Sequence, residues 1–118
     1  MLSDFASRGA QCEVEGEVAR LLRDMRAADK PIGAICIAPA VVARALGEQH
    51  PTLTIGNDAG TAAALEQMGC RHQDCPVTEF VIDHEHKIVT TPAYMLGPTI
   101  ARVQQGIEKC VDAVLAMA

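Results

Sequence analysis

Tryptophan is absent from this 118-residue chain, tyrosine occurs once and phenylalanine twice. A core matching the 49% hydrophobic content must therefore be built from Ala, Val, Ile and Leu, as where helices cover a sheet on both faces. Basic charge is also scarce. Ten Lys and Arg are scattered among fifteen Asp and Glu, giving a formal net charge of -5 and no stripe that could neutralise phosphates, so nucleic acid is not an expected partner. No apolar run approaches the roughly 18 residues of a membrane span, so no membrane partner is expected. The opening MLSDFASRGAQCEVEGEV shows no apolar core behind a basic start, and the expectation from it is a cytoplasmic protein. Repeats, low-complexity stretches and interdomain linkers are missing too, which leaves residues 1–118 as a single domain. Five cysteines is an odd count that fits reduced thiols better than a disulfide framework.

What is present alternates between helical and strand periodicity. Ser3 to Arg8 predicts a short helical turn ended by Gly9. From Glu13 to Ala28 the residues Val14, Val18, Leu21, Leu22 and Met25 recur at helical spacing against a charged opposite side. IGAICIA, after Lys30-Pro31, is apolar at nearly every position, as a strand buried on both faces would be. Pro39 suits the first turn of the next helix, which runs through AVVARAL to Gly47. TLTIG (52–56) reads as a strand and Thr61 to Met68 as a helix closed by Gly69. TEFVID and KIVTT read as a hairpin joined across His84-Glu85-His86. A last helix, from about Pro98 to Met117, sets Ile100, Val103, Ile107, Val111, Val114 and Leu115 on one side.

This order predicts an α/β three-layer sandwich. A strand as apolar as IGAICIA belongs in the middle of a parallel sheet with a neighbour on each side, yet the residues before it offer only helix. The expectation is that further strands lie upstream and that the chain is truncated at its N-terminus.

The segment from Pro31 to Leu46 runs a buried strand through Cys36 straight into a helix. A residue at such a turn projects at the carboxyl end of the sheet, where open α/β proteins place their sites. The helix N-terminus favours negative charge there, and backbone N–H groups of the turn, Ile37 first, are candidates to receive an oxyanion. Spacing alone also allows Cys36 to be a small buried hydrophobe.

GAICIAPAVVARAL resembles the nucleophile segment of ThiJ/PfpI proteins. Similarity to the ElbB-type subgroup of that superfamily continues through LTIGND, ALEQMG, HQDCPV and KIVTTPAYML, from LSDFAS to the last helix. The resemblance implies a flavodoxin-like, class I glutamine amidotransferase-like sandwich, here the C-terminal part of a protein roughly twice this length and usually dimeric. It implies a glyoxalase of the lyase class, converting glyoxal to glycolate without a cofactor, in a family linked to isoprenoid biosynthesis. Cys36 would be the catalytic nucleophile, Ile37 would supply the oxyanion N–H, and Pro39, Thr91 and Tyr94 would flank the pocket. A small aldehyde and a second copy of the chain are the implied partners. Two family features are missing from the sequence: the Gly-rich loop before LSDFAS and an earlier acidic residue that hydrogen-bonds the cysteine. TLTIGND stands where many relatives carry a His, so no Cys-His-Glu triad is assigned. A non-catalytic interaction module on the same fold is the competing reading.

Cys70, His72 and Cys75 in CRHQDC lack a fourth ligand and Cys-x-x-Cys spacing, so a structural loop is expected and no metal. His84 and His86 are expected to face solvent on the same side of their turn. Cys12 and Cys110 carry no motif and read as packing or surface residues.

Overall fold

The structure, a computed structural model, describes residues 3–93 and 99–118. Its helices are α1 (Phe5–Arg8), α2 (Gly16–Ala27), α3 (Ala38–Leu46), α4 (Ala59–Gln67) and α5 (Ile100–Met117). The strands are β1 (Ile32–Ile35), β2 (Thr52–Leu53), β3 (Arg71–His72), β4 (Val81–Asp83) and β5 (Ile88–Thr91). β1 and β5 run parallel with Ile32 opposite Ile88 and Ile35 opposite Thr91, and β4 completes the order β1-β5-β4 antiparallel to β5. β2 and β3 form a second, parallel pair.

Alternation along β1 sorts the layers. Ile32 and Ala34 join the core cluster of Ala40, Val42, Ala43 and Leu46 from α3, with Leu22 and Met25 of α2 packed against it. Ile35 points to the other face, where it meets Val103 and Ile107 of α5. A strand between two helical layers needs apolar residues at both parities, which is why IGAICIA lacks the alternation of a half-exposed strand.

Local chemistry fixes the helix starts. Glu15 accepts from the Val18 N–H, Asp58 from the Thr61 N–H and Thr99 from the Arg102 N–H, each supplying an acceptor to an otherwise orphaned donor. The helix expected from Glu13 to Ala28 accordingly starts only at Gly16, because Val14 is used in an isolated bridge to Ser3.

Among the described residues β1 pairs with one strand, β5. Several expectations are corrected. The strand expected over 52–56 is regular only at Thr52–Leu53. Beyond it the Thr54 and Ile55 N–H groups donate to the Thr90 hydroxyl and the His72 imidazole instead of a backbone ladder. CRHQDC is not wholly a loop, since Arg71 and His72 pair with Thr52 and Leu53. His86 is buried beside an exposed His84, because Asp83 captures both its backbone N–H (2.9 Å) and its Nδ1 (2.8 Å).

α5 is also rotated from the face its periodicity suggests. Val103, Gly106 and Cys110 are buried, whereas Ile100 is 74%, Val111 45% and Leu115 65% exposed. The close approach at Gly106 sets that rotation: a Cβ there would meet the Val77 carbonyl and lie 2.9 Å from the Thr91 hydroxyl. A glycine brings a helix this near a strand, and the contact outweighs the apolar count. The start expected at Pro98 lies outside the described residues.

Candidate active site

Cys36 occupies the single step between β1 and the turn into α3, and its φ is +66°. An L-residue other than glycine pays about 1–2 kcal/mol for left-handed backbone, so the surrounding structure must hold it there. The hold is visible. The Cys36 N–H donates to the Thr91 carbonyl at 3.0 Å, extending the β1–β5 ladder one residue past the strand. Ala93, two residues beyond Thr91, is left-handed as well (φ +47°) and packs with Val77 and Val103 against Cys36. Two adjacent parallel strands thus turn off the sheet at the same level.

The first turn of α3 leaves backbone donors at this point. Ile37 is the N-cap and its carbonyl accepts from the Ala40 N–H, while Pro39 in the first turn has no N–H to satisfy. Among the described residues the Ile37 N–H has no hydrogen-bond partner, whereas that of Cys36 is occupied by Thr91. An anion at this helix terminus would meet the Ile37 N–H and the positive end of the α3 dipole.

The other expected residues take different places. Pro39 is fully buried within the first turn of α3. Thr91 is buried, its hydroxyl donating to the Glu79 carbonyl at 2.8 Å, so it shapes the turn through its backbone carbonyl. Tyr94 lies outside the described residues. Beside the turn is an open, mainly apolar depression of about 290 Å³, lined by Ser3, Phe5, Ala6, Ile37, Ala40 and Val41. That volume is at the small end for ligand pockets. Its α1 wall and the paired left-handed Ala93 were not foreseen; alanine gives no sequence signal for a positive φ.

The five thiols are free and differ sharply in setting. Cys36 is half-buried, and the other four are buried. Desolvation pushes Cys70 up to about 12, Cys75 and Cys110 up to about 11, and Cys12 above its ordinary value. The residues of CRHQDC have separate tasks. Cys70 sits in the core, the His72 Nε2 accepts from the Ile55 N–H, and the Cys75 thiol donates to the Pro76 carbonyl. Among the described residues no three His, Cys, Asp or Glu converge as metal ligands.

No protein-family model matches the chain. Curated relatives do. The chain is 37% identical over 125 residues to the rat ES1 protein homolog, mitochondrial, covering 98% of this chain and 46% of the relative. The same identity and coverage hold for the human glutamine amidotransferase-like class 1 domain-containing protein 3, mitochondrial. The zebrafish ES1 protein, mitochondrial, is 29% identical over 80% of this chain and 38% of its own. The chain therefore spans about half the length of the curated relatives it matches. In three dimensions it superposes with a TM-score of 0.82 and 32% identity on an Ehrlichia chaffeensis isoprenoid biosynthesis protein with an amidotransferase-like domain, covering 89% of this chain and 49% of that one.

These relatives overturn the cytoplasmic placement, since all three curated proteins are mitochondrial. The physical reason is that a folded domain's composition carries no compartment address; that is read from separate targeting segments. Sequence similarity and a shared α/β architecture together show that this chain has an amidotransferase-like fold and support its kinship with class I glutamine amidotransferase-like proteins.

Proposed function

We propose that the chain carries the nucleophile of an ElbB-type, cofactor-independent glyoxalase acting on glyoxal-like small aldehydes. The observation that carries this reading is Cys36, a half-buried thiol in left-handed backbone at a strand-to-helix turn, with the Ile37 N–H beside it. In this chemistry the Cys36 thiolate adds to one aldehyde carbon, and the oxyanion forms against the Ile37 N–H and the α3 terminus. Protonation gives a hemithioacetal. The hydrogen on that carbon moves to the neighbouring carbonyl carbon, leaving a thioester of the hydroxy acid. Water then cleaves the thioester, releasing glycolate and the free thiol. Water is the co-reactant and no external oxidant is consumed.

A second reading, a non-catalytic interaction module, is favoured by one observation. Among the described residues no imidazole or carboxylate hydrogen-bonds the Cys36 sulfur. Glyoxal consumption and glycolate formation, followed for the wild-type chain and for Cys36→Ala, separate the two. The enzyme reading expects turnover that disappears in Cys36→Ala. An oxyanion donor is worth about 100- to 1000-fold in rate, which is the scale on which the two proteins are compared. Equal rates in both proteins would leave the module reading.

A further inference from the structure

We propose that Thr91 is a positioning residue for the candidate nucleophile: its buried hydroxyl, anchored on the Glu79 carbonyl, keeps its own carbonyl on the Cys36 N–H and so holds the thiol at the start of α3. The proposal rests on the reading of Cys36 as the nucleophile and adds the group that aims it. Position along β5 is the first observation. The ladder between β4 and β5 ends at the Val81–Thr90 pair, one residue short of Thr91. On its other side Thr91 meets the end of β1, where Ile35 is its register partner and the Cys36 N–H donates to its carbonyl at 3.0 Å. Beyond it Pro92 has no N–H to give and Ala93 turns left-handed, so the backbone leaves the sheet. A strand end held so sparsely opens readily unless something else ties it.

The side chain supplies that tie. Thr91 is fully buried, and its hydroxyl donates to the Glu79 carbonyl at 2.8 Å, taking the place of the ladder bond that β4 no longer offers. The acceptor is itself fixed, since the Glu79 N–H donates to the Pro76 carbonyl at 3.1 Å and its carboxylate accepts from the Lys109 ammonium of α5 at 2.7 Å. The backbone of α5 closes on the same hydroxyl: a Cβ at Gly106 would lie 2.9 Å from it. A β-branched side chain has few χ1 choices to begin with, and here the groups confining it are backbone.

The residue so held is a strained one. Cys36 sits at φ +66°, and without the Thr91 carbonyl its backbone would relax toward negative φ, swinging the Cβ–Sγ bond away from the Ile37 N–H and the α3 terminus. Neighbouring Thr90 serves as a control. It is equally buried, but its hydroxyl accepts from the Thr54 N–H at 3.0 Å and so supports the segment after β2 rather than the turn.

Residue-resolved hydrogen exchange at the Cys36 amide and the rate of Cys36 alkylation by iodoacetamide test it in Thr91→Val, Thr91→Ser and Thr90→Val. Thr91→Val keeps the shape and loses the hydroxyl. The Cys36 amide should then exchange at least about tenfold faster, and the Cys36 sulfur should alkylate about two- to fivefold more slowly. Thr91→Ser keeps the donor and should restore both values. Thr90→Val should lower the melt yet leave Cys36 alkylation unchanged. Should Thr91→Val unfold, Thr91→Ala removes the same hydroxyl with less volume and repeats the comparison. A Cys36 amide or alkylation rate in Thr91→Val that matches wild type, faster alkylation, no rescue by Thr91→Ser, or an equal loss in Thr90→Val would each overturn the proposal while leaving Cys36 a reactive thiol. A wild-type Cys36 no more reactive than Cys12 would sink the nucleophile reading and this proposal with it.

Discussion

The Thr91 carbonyl accepts the Cys36 N–H at 3.0 Å, and this bond ties the candidate nucleophile to the strand beside it. It also removes the Cys36 N–H from the pool of oxyanion donors, whereas among the described residues the Ile37 N–H has no acceptor. The same bond holds Cys36 at a φ that glycine would adopt without strain.

That conformation predicts an unusual substitution order. Cys36→Gly should be more stable than Cys36→Ala by about 1 kcal/mol, because alanine keeps the Cβ that makes left-handed backbone costly. Paired thermal melts check it, with a gap of a few degrees expected. An alanine variant at least as stable as the glycine one would mean that φ relaxes in solution.

Thiol reactivity should follow burial. Substoichiometric iodoacetamide on the native protein is expected to alkylate Cys36 ahead of Cys12, Cys70, Cys75 and Cys110, which are buried and held as thiols by desolvation. Peptide mass mapping reads the order. Prior labelling at Cys12 or Cys110 would contradict it.

Two helical glycines should respond oppositely to alanine. Gly106→Ala is expected to destabilise by about 1–3 kcal/mol, since its Cβ would strike the Val77 carbonyl and the Thr91 hydroxyl. Gly60→Ala in α4, whose Cβ finds only Asp58 Oδ2 at 3.7 Å, should gain up to about 1 kcal/mol from helix propensity. Denaturant midpoints for the two variants measure both signs.

Asp83 should make stability sensitive to acid. Its burial raises the carboxyl pKa, but hydrogen bonds from the Thr52 N–H (2.7 Å), the His86 N–H and the His86 ring outweigh that and hold it below the ordinary 3.8. A depressed folded value means the contribution is complete above the unfolded pKa and is lost as pH falls through the folded one. Denaturation between neutral pH and pH 2 should show this loss below about pH 4. Asp83→Asn should cost about 1.5–3 kcal/mol near neutrality and flatten that part of the profile.

Much of the architecture was legible in the chain itself. Period-2 and period-3.6 patterns located α2, α3, α5 and the β4–β5 hairpin, and the run from IGAICIA into Pro39 marked the Cys36 turn, because these signals come from neighbours within a few residues. Contacts between distant residues were decided only by the tertiary structure. Asp83 reaches across to Thr52 and buries His86, so a hairpin histidine with a solvated pattern became a buried one. Gly106 against Val77 turned α5 away from its most apolar stripe. The carbonyl of Thr91, more than fifty residues from Cys36, occupies the Cys36 N–H. Local periodicity records which face is apolar. Which face another element can approach, and which donor finds an acceptor first, depends on backbone geometry that no single segment contains.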